Sequence, residues 1–137
     1  VCVLPLTEDN EVILVKQFRY PYQEVLFEIP AGKLDKGGED PLHCGMRELE
    51  EEAGVTAGDY LSLGQMYPSP GYCNEIIHMF LARQLQPSRQ HLDEDEFLEV
   101  YKMPFSQVLK MVTDGEIKDA KTQIAVLKTA VLLGMQA

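Results

Sequence analysis

Residues 40 to 54, DPLHCGMRELEEEAG, leave the chain few ways to fold. Asp40 is a good helix N-cap, Pro41 suits the first helical position and Gly54 suits a left-handed stop, so the spacing predicts a helix over 41–53. Leu42, Met46, Leu49 and Ala53 recur at helical intervals and are expected to form its buried stripe. Glu48, Glu51 and Glu52 then crowd one patch beside that stripe, with Arg47 close to Glu50 and Glu51. The patch has two readings. On an exposed helix a like-charge pair costs only a few tenths of a kcal/mol, which makes an ordinary solvated face. Closed into a cleft, carboxylates about 5 Å apart repel by roughly 3 kcal/mol per pair at an effective dielectric of about 20, and need a counter-ion. Three hard oxygen ligands on one helix face suit Mg²⁺ or Mn²⁺, which keep waters for exchange with substrate phosphates.

Around that helix the chain reads as mostly β. VCVLPLT and EVILVKQF are β-rich runs separated by the turn-like EDN, and are expected to pair as an antiparallel hairpin. EVLFEIP is a further short strand, and AGKLDKGGED is too rich in Gly and Asp to be other than a loop. Beyond Gly54, YLSLGQMYP and EIIHMFLARQL read as strands joined by SPGYCN, and EFLEVYKM as another. PFSQVLKMVTDG is a short helix with Phe105, Val108, Leu109 and Val112 on one face. Residues 118 to 135 carry Ala120, Ile124, Leu127 and Val131 at helical spacing, as one face of a further helix. With no repeat, low-complexity stretch or linker, the order implies one α+β domain over residues 1–137, a mixed sheet covered by helices. The chain opens on Val1, already in strand rhythm, and further residues are expected upstream.

Charge restricts the partners. A net charge of −10 argues against nucleic acid and anionic membrane, both of which need clustered Lys and Arg, so an anionic ligand would require a mediating cation. Cys2, Cys44 and Cys73 are odd in number and widely spaced, which indicates neither a disulfide framework nor a CxxC metal site and fits a reducing cytoplasm. Neither a long apolar span nor a signal peptide is visible. His43, His78 and His91 lack ligand spacing and are expected to be structural or surface residues. Cys73 has no evident activating base, and Tyr20, Tyr22 and Tyr72 are expected to pack more than to stack on a base.

GKLDKGGEDPLHCGMRELEEEAGV, Gly32 to Val55, resembles the Nudix box. Glu39, Arg47, Glu48, Leu49, Glu51, Glu52, Gly54 and Val55 all meet its fixed positions. The departure lies in the loop, where six residues instead of five separate Gly32 from Glu39, with the extra one around Gly37 and Gly38. QFRYP, FEIPAGKLD and YPSPGYCNE, with Pro70 sixteen positions after Gly54, resemble the ADP-ribose pyrophosphatase branch of the Nudix hydrolases, as do DEDEFLEV and GEIKDAKT.

That resemblance implies an α/β/α sandwich and a Mg²⁺-dependent (or Mn²⁺-dependent) hydrolase cutting ADP-ribose into AMP and ribose 5-phosphate. Alternatives are a broader nucleoside diphosphate sugar pyrophosphatase, or a non-catalytic domain that senses ADP-ribose. Glu48 and Glu52 would be the principal metal ligands, with Glu51 sharing a metal or its water and Ala31 adding its carbonyl. Arg47 would orient the acids, Glu39 among them. Arg19 would contact the diphosphate or terminal ribose, and Glu28 the adenine edge, unless the two simply pair with each other. The acidic loop HLDEDEFLEV would supply the general base, Glu96 before Glu94. A homodimer is also implied, with an N-terminal segment completing the adenine site.

Overall fold

A computed structural model describes residues 1–34 and 37–137; residues 35 and 36 of the expected loop lie outside the described residues. Its elements are β1 (Cys2–Pro5), β2 (Glu11–Arg19), β3 (Glu24–Glu28), α1 (Pro41–Ala53), β4 (Val55–Met66), β5 (Ile77–Pro87), β6 (Leu98–Pro104), α2 (Phe105–Thr113) and α3 (Ala120–Leu133). The strands form two three-stranded sheets. In the order β1-β5-β4, β1 runs parallel to β5 and β4 antiparallel to it, whereas β3-β2-β6 is antiparallel throughout.

β1 shows why this is a sandwich. Cys2 and Leu4 point into the larger core, with Leu81, Phe105, Val108 and Val126, while Val1 and Val3 point the other way, onto Cys44 and Leu49 of α1. α1 therefore covers one face of the mixed sheet, and α2 and α3 close the other, which is an α/β/α arrangement. Burying each Val, Leu or Phe in this way contributes about 1.5–3 kcal/mol.

The α1 boundaries match the capping signals. Asp40 accepts from the N–H groups of Leu42 and His43, Pro41 opens the helix, and Gly54 ends it in the left-handed region at φ 67°. Phe105, Val108, Leu109 and Val112 are buried on α2, also as the periodicity indicates.

Three expectations are corrected. The hairpin of the first two strands reduces to an isolated Leu6–Val12 bridge, and the ladder of β1 is instead with β5. VCVLPL is apolar without alternation, as befits a strand buried on both faces and not a half-exposed hairpin arm. On α1 the buried face is Cys44, Gly45, Glu48, Leu49 and Glu52, whereas Met46 is 40% exposed: two carboxylates take the inner positions that apolar counting gave to other residues. On α3 the buried set is Thr122, Ala125, Val126, Thr129 and Ala130, and Val131 is 83% exposed. That helix carries apolar residues on more than one side, so periodicity alone does not choose a face.

Candidate active site

A cleft of about 540 Å³ opens where α1, the ends of β2 and β4, the start of β5, the start of α3 and the loop before β6 converge. Among the residues that line it are Arg19, Ala31, Gly32, Lys33, Glu48, Glu52, Glu96, Asp119 and Lys121. The structure thus brings together Arg19, Ala31, Glu48, Glu52 and Glu96 from four separate stretches of chain. Glu51 and Glu94 do not line it, nor does Pro70.

One wall is acidic and belongs to α1. Arg47 works at its edge: its Nε and Nη2 donate to the two oxygens of Glu39 at 3.0 and 3.1 Å, and its Nη1 donates to Glu48 at 2.8 Å and Glu51 at 3.0 Å. One guanidinium thereby orients three carboxylates, and the Glu39 bond above all holds it firmly charged. Glu52 has far less support. Only 3% exposed, it accepts the Ala31 N–H at 3.1 Å. Burial, against that one bond and with Glu48 and Glu96 adding repulsion, pushes its carboxyl up to about 8. Burial also raises Glu48, with Arg47 opposing and Glu51 reinforcing. Gly32 leaves the space Glu48 occupies, since a Cβ there would sit 2.0 Å from the Glu48 carboxyl carbon.

The opposite wall carries cations held by buried acids. Glu28, 1% exposed at the end of β3, accepts Arg19 Nε at 2.7 Å and Nη2 at 2.8 Å, and Lys121 Nζ at 2.5 Å. Burial raises the Glu28 carboxyl, but the Arg19 and Lys121 bonds outweigh it and the net shift is downward. Lys121 also donates to Asp119 at 2.9 Å. Asp119 caps α3 by accepting the Thr122 N–H, and Thr122 Oγ1 accepts the buried Ile29 N–H at 2.9 Å. Arg19 and Glu28 are therefore paired, and Glu28 lies behind the cleft lining with both oxygens taken.

Lys121 and Asp119 were missed by the sequence reading. A signal was available: a lysine in the first turn opposes the helix dipole, and such a misplaced cation asks for an acidic partner.

The loop before β6 forms the third side. Glu96 is half-buried and Glu94 exposed. The Asp93 N–H donates to Glu96 Oε2 at 3.1 Å, and the Glu96 N–H returns to the Asp93 carbonyl at 3.0 Å. Next to the cleft, Phe18, Val25, Phe97 and Leu98 line an apolar hollow that shares Glu96 with it. Tyr20, Tyr22 and Tyr72 are 75–88% exposed and do not pack as expected.

Among the described residues no three His, Cys, Asp or Glu side chains are already gathered as a metal cage; Glu48 and Glu51 both accept from Arg47. The donor set still suits a hard divalent cation: Glu52 and Glu48 are buried carboxylates whose protons are held above the ordinary range, and Ala31 lines the same cleft.

Comparison with known proteins gives a consistent picture. The NUDIX domain family model matches residues 1–123. An ADP-ribose pyrophosphatase of Bacillus subtilis is 46% identical over 128 residues, covering 92% of this chain and 69% of that protein. A methanol dehydrogenase activator of Bacillus methanolicus is 40% identical with the same coverage, and a GDP-mannose pyrophosphatase of Escherichia coli is 38% identical over 85% of this chain and 64% of its own length. A crystal structure described as an ADP compounds hydrolase superposes with a TM-score of 0.86 at 23% identity, over 97% of this chain and 71% of that one, and shows the same fold.

Proposed function

The chain belongs to the NUDIX domain family, and on that premise we propose that it is a hydrolase cleaving the diphosphate of ADP-ribose to AMP and ribose 5-phosphate. The observation that carries this is one cleft in which the buried carboxylates Glu48 and Glu52 on α1 face Arg19 and Lys121. A diphosphate needs both, since its anionic oxygens repel each other and the incoming water. The 46% identity to an ADP-ribose pyrophosphatase supports the substrate.

Glu48, Glu52 and the Ala31 carbonyl would hold Mg²⁺ or Mn²⁺, with Glu51 sharing it or its water. Bound there, the cation neutralises phosphoryl oxygens and lowers the pKa of water. Arg47 keeps Glu39, Glu48 and Glu51 in fixed orientations. Arg19 and Lys121 offer charge to the diphosphate. Glu28, with both oxygens occupied, holds these two cations, which favours a supporting role over the adenine contact that the resemblance implies. Glu96 takes the proton of the attacking water as its oxygen bonds to phosphorus; the bridging P–O bond breaks, and the bridging oxygen leaves with the other phosphate. Glu96 is favoured over Glu94 because it lines the cleft.

A reducing cytoplasm fits three free thiols, of which burial pushes Cys44 up to about 11. No helix among the described residues is long and apolar enough to cross a membrane. A homodimer is supported by the apolar Phe18 and Val25 exposed on the second sheet, beside the exposed Phe97 of the loop before β6.

The test is Mg²⁺-dependent turnover of ADP-ribose, ADP-glucose, GDP-mannose, NADH and FAD, with products separated by chromatography. AMP and ribose 5-phosphate, with ADP-ribose strongly preferred, is the expected result. Comparable turnover of several would give the broader sugar-nucleotide reading suggested by the GDP-mannose relatives. Binding without turnover would overturn the enzyme reading in favour of a sensor. Lys121→Met should raise KM about tenfold or more, as expected for the loss of a charged hydrogen bond to substrate.

A further inference from the structure

The last carbonyls of an α-helix have no partners within it, and in α1 two of them, with that of the Gly54 cap, are met by one distant segment. The Glu50 carbonyl takes the Gly54 N–H. The next ones turn to residues 88–91: the His91 N–H donates to the Glu51 carbonyl at 2.8 Å, Gln90 Nε2 to the Glu52 carbonyl at 2.7 Å, and the Ser88 N–H to the Gly54 carbonyl at 2.8 Å. Ser88 Oγ also bonds Glu50 at 2.5 Å. Gly54 allows the approach, since a Cβ there would meet the Gln90 N at 3.3 Å. The glycine that ends the helix thus also admits this strap.

The strap leads directly into Leu92 and the turn closed by Asp93 and Glu96. Glu96 therefore stands on a stem fixed to the same helix that presents Glu48 and Glu52, and the Gln90 bond falls on residue 52 itself. Of the three bonds to the carbonyls of Glu51, Glu52 and the Gly54 cap, only this one comes from a side chain, so it can be removed without altering the backbone. We propose that Gln90 is a positioning residue that sets Glu96 against the α1 carboxylates. The inference rests on reading Glu96 as the general base.

Four proteins, assayed with Mg²⁺ and ADP-ribose, test it: Gln90→Met, Gln90→Lys, Glu96→Gln and the double variant Glu96→Gln/Gln90→Met. Gln90→Met should lower kcat about three- to tenfold, the span of a single hydrogen bond, with KM unchanged. Gln90→Lys, which keeps a donor, should recover most of that loss. In the Glu96→Gln background, Gln90→Met should cost nothing further, because a residue acting through Glu96 has no effect once its carboxylate is gone. A merely structural role would lower kcat by the same factor in both backgrounds, and that result overturns the proposal, as does an unchanged kcat for Gln90→Met where Glu96→Gln is impaired. Full turnover by Glu96→Gln would identify the base assignment as the fault and take the proposal with it.

Discussion

Glu28 and Glu52 are both glutamates, nearly inaccessible to solvent, at opposite sides of one cleft. Their acidities move in opposite directions. Glu28 is lowered because two cations and three short bonds outweigh its burial, whereas Glu52, with one backbone N–H and two acidic neighbours, is pushed up to about 8. Burial is therefore not what distinguishes a structural carboxylate from a reactive one; the partners are. Glu28 is complete within the chain, whereas Glu52, in the function proposed above, would be a ligand whose charge is balanced by a bound cation.

Replacing each glutamate by glutamine should separate them most sharply. Glu52→Gln should reduce turnover by about a thousandfold, the equivalent of several kcal/mol of lost metal-assisted catalysis, yet leave thermal stability equal or higher, because a neutral amide accepts the Ala31 N–H without a buried charge. Glu28→Gln should do the reverse in emphasis, costing about 3 kcal/mol in denaturant unfolding by leaving the enclosed Lys121 with Asp119 alone, and raising KM as Arg19 loses its anchor. Comparable stability losses in the two variants would erase the distinction.

Thr122→Val sharpens the structural side at smaller cost. It strands the buried Ile29 N–H and removes a partner of Asp119, and should destabilise by about 1–3 kcal/mol in urea unfolding with little change in kcat.

The pH dependence of stability should carry both signs. Glu28, with its folded pKa depressed, contributes stability that is present above its unfolded pKa of about 4.3 and is lost as pH falls through the lower folded value. Glu52, raised, does the opposite: from about pH 4.3 to its folded value of about 8, the unfolded chain has released a proton that the folded one keeps, so stability declines as pH rises and levels off above. In chelator-treated protein, urea midpoints from pH 5 to 8 should fall less steeply for Glu52→Gln than for the parent; identical slopes would count against the assigned environment of Glu52.

What the sequence disclosed follows from how local each interaction is. The ends of α1 were legible because Asp40, Pro41 and Gly54 act within a turn of themselves, and the acidic cluster because its spacing is helical. The β1–β5 ladder was not, because it joins Val3 to Phe80 across most of the domain, and the nearest β-rich run looked like the natural mate. Apolar counting placed Leu49 correctly but misplaced Met46 on α1, and it chose the wrong face on α3, for different reasons. In α1 the site draws Glu48 and Glu52 inward, and in α3 small residues and Thr122 face the core while Leu127 and Val131 face out. Lys121 shows in the sequence only as a misplaced charge in the first turn of α3, and its partner Glu28 emerges only where β3 and α3 meet.

The most direct test is the shift in melting temperature on adding Mg²⁺ to the parent, Glu28→Gln and Glu52→Gln proteins at pH 7.5. A ligand that binds only the folded state raises the melting temperature by an amount that grows with the logarithm of its concentration above Kd. The parent and Glu28→Gln should both gain, and Glu52→Gln should gain nothing. An equal gain in Glu52→Gln would contradict the account, since the cation would then be held without the carboxylate said to require it.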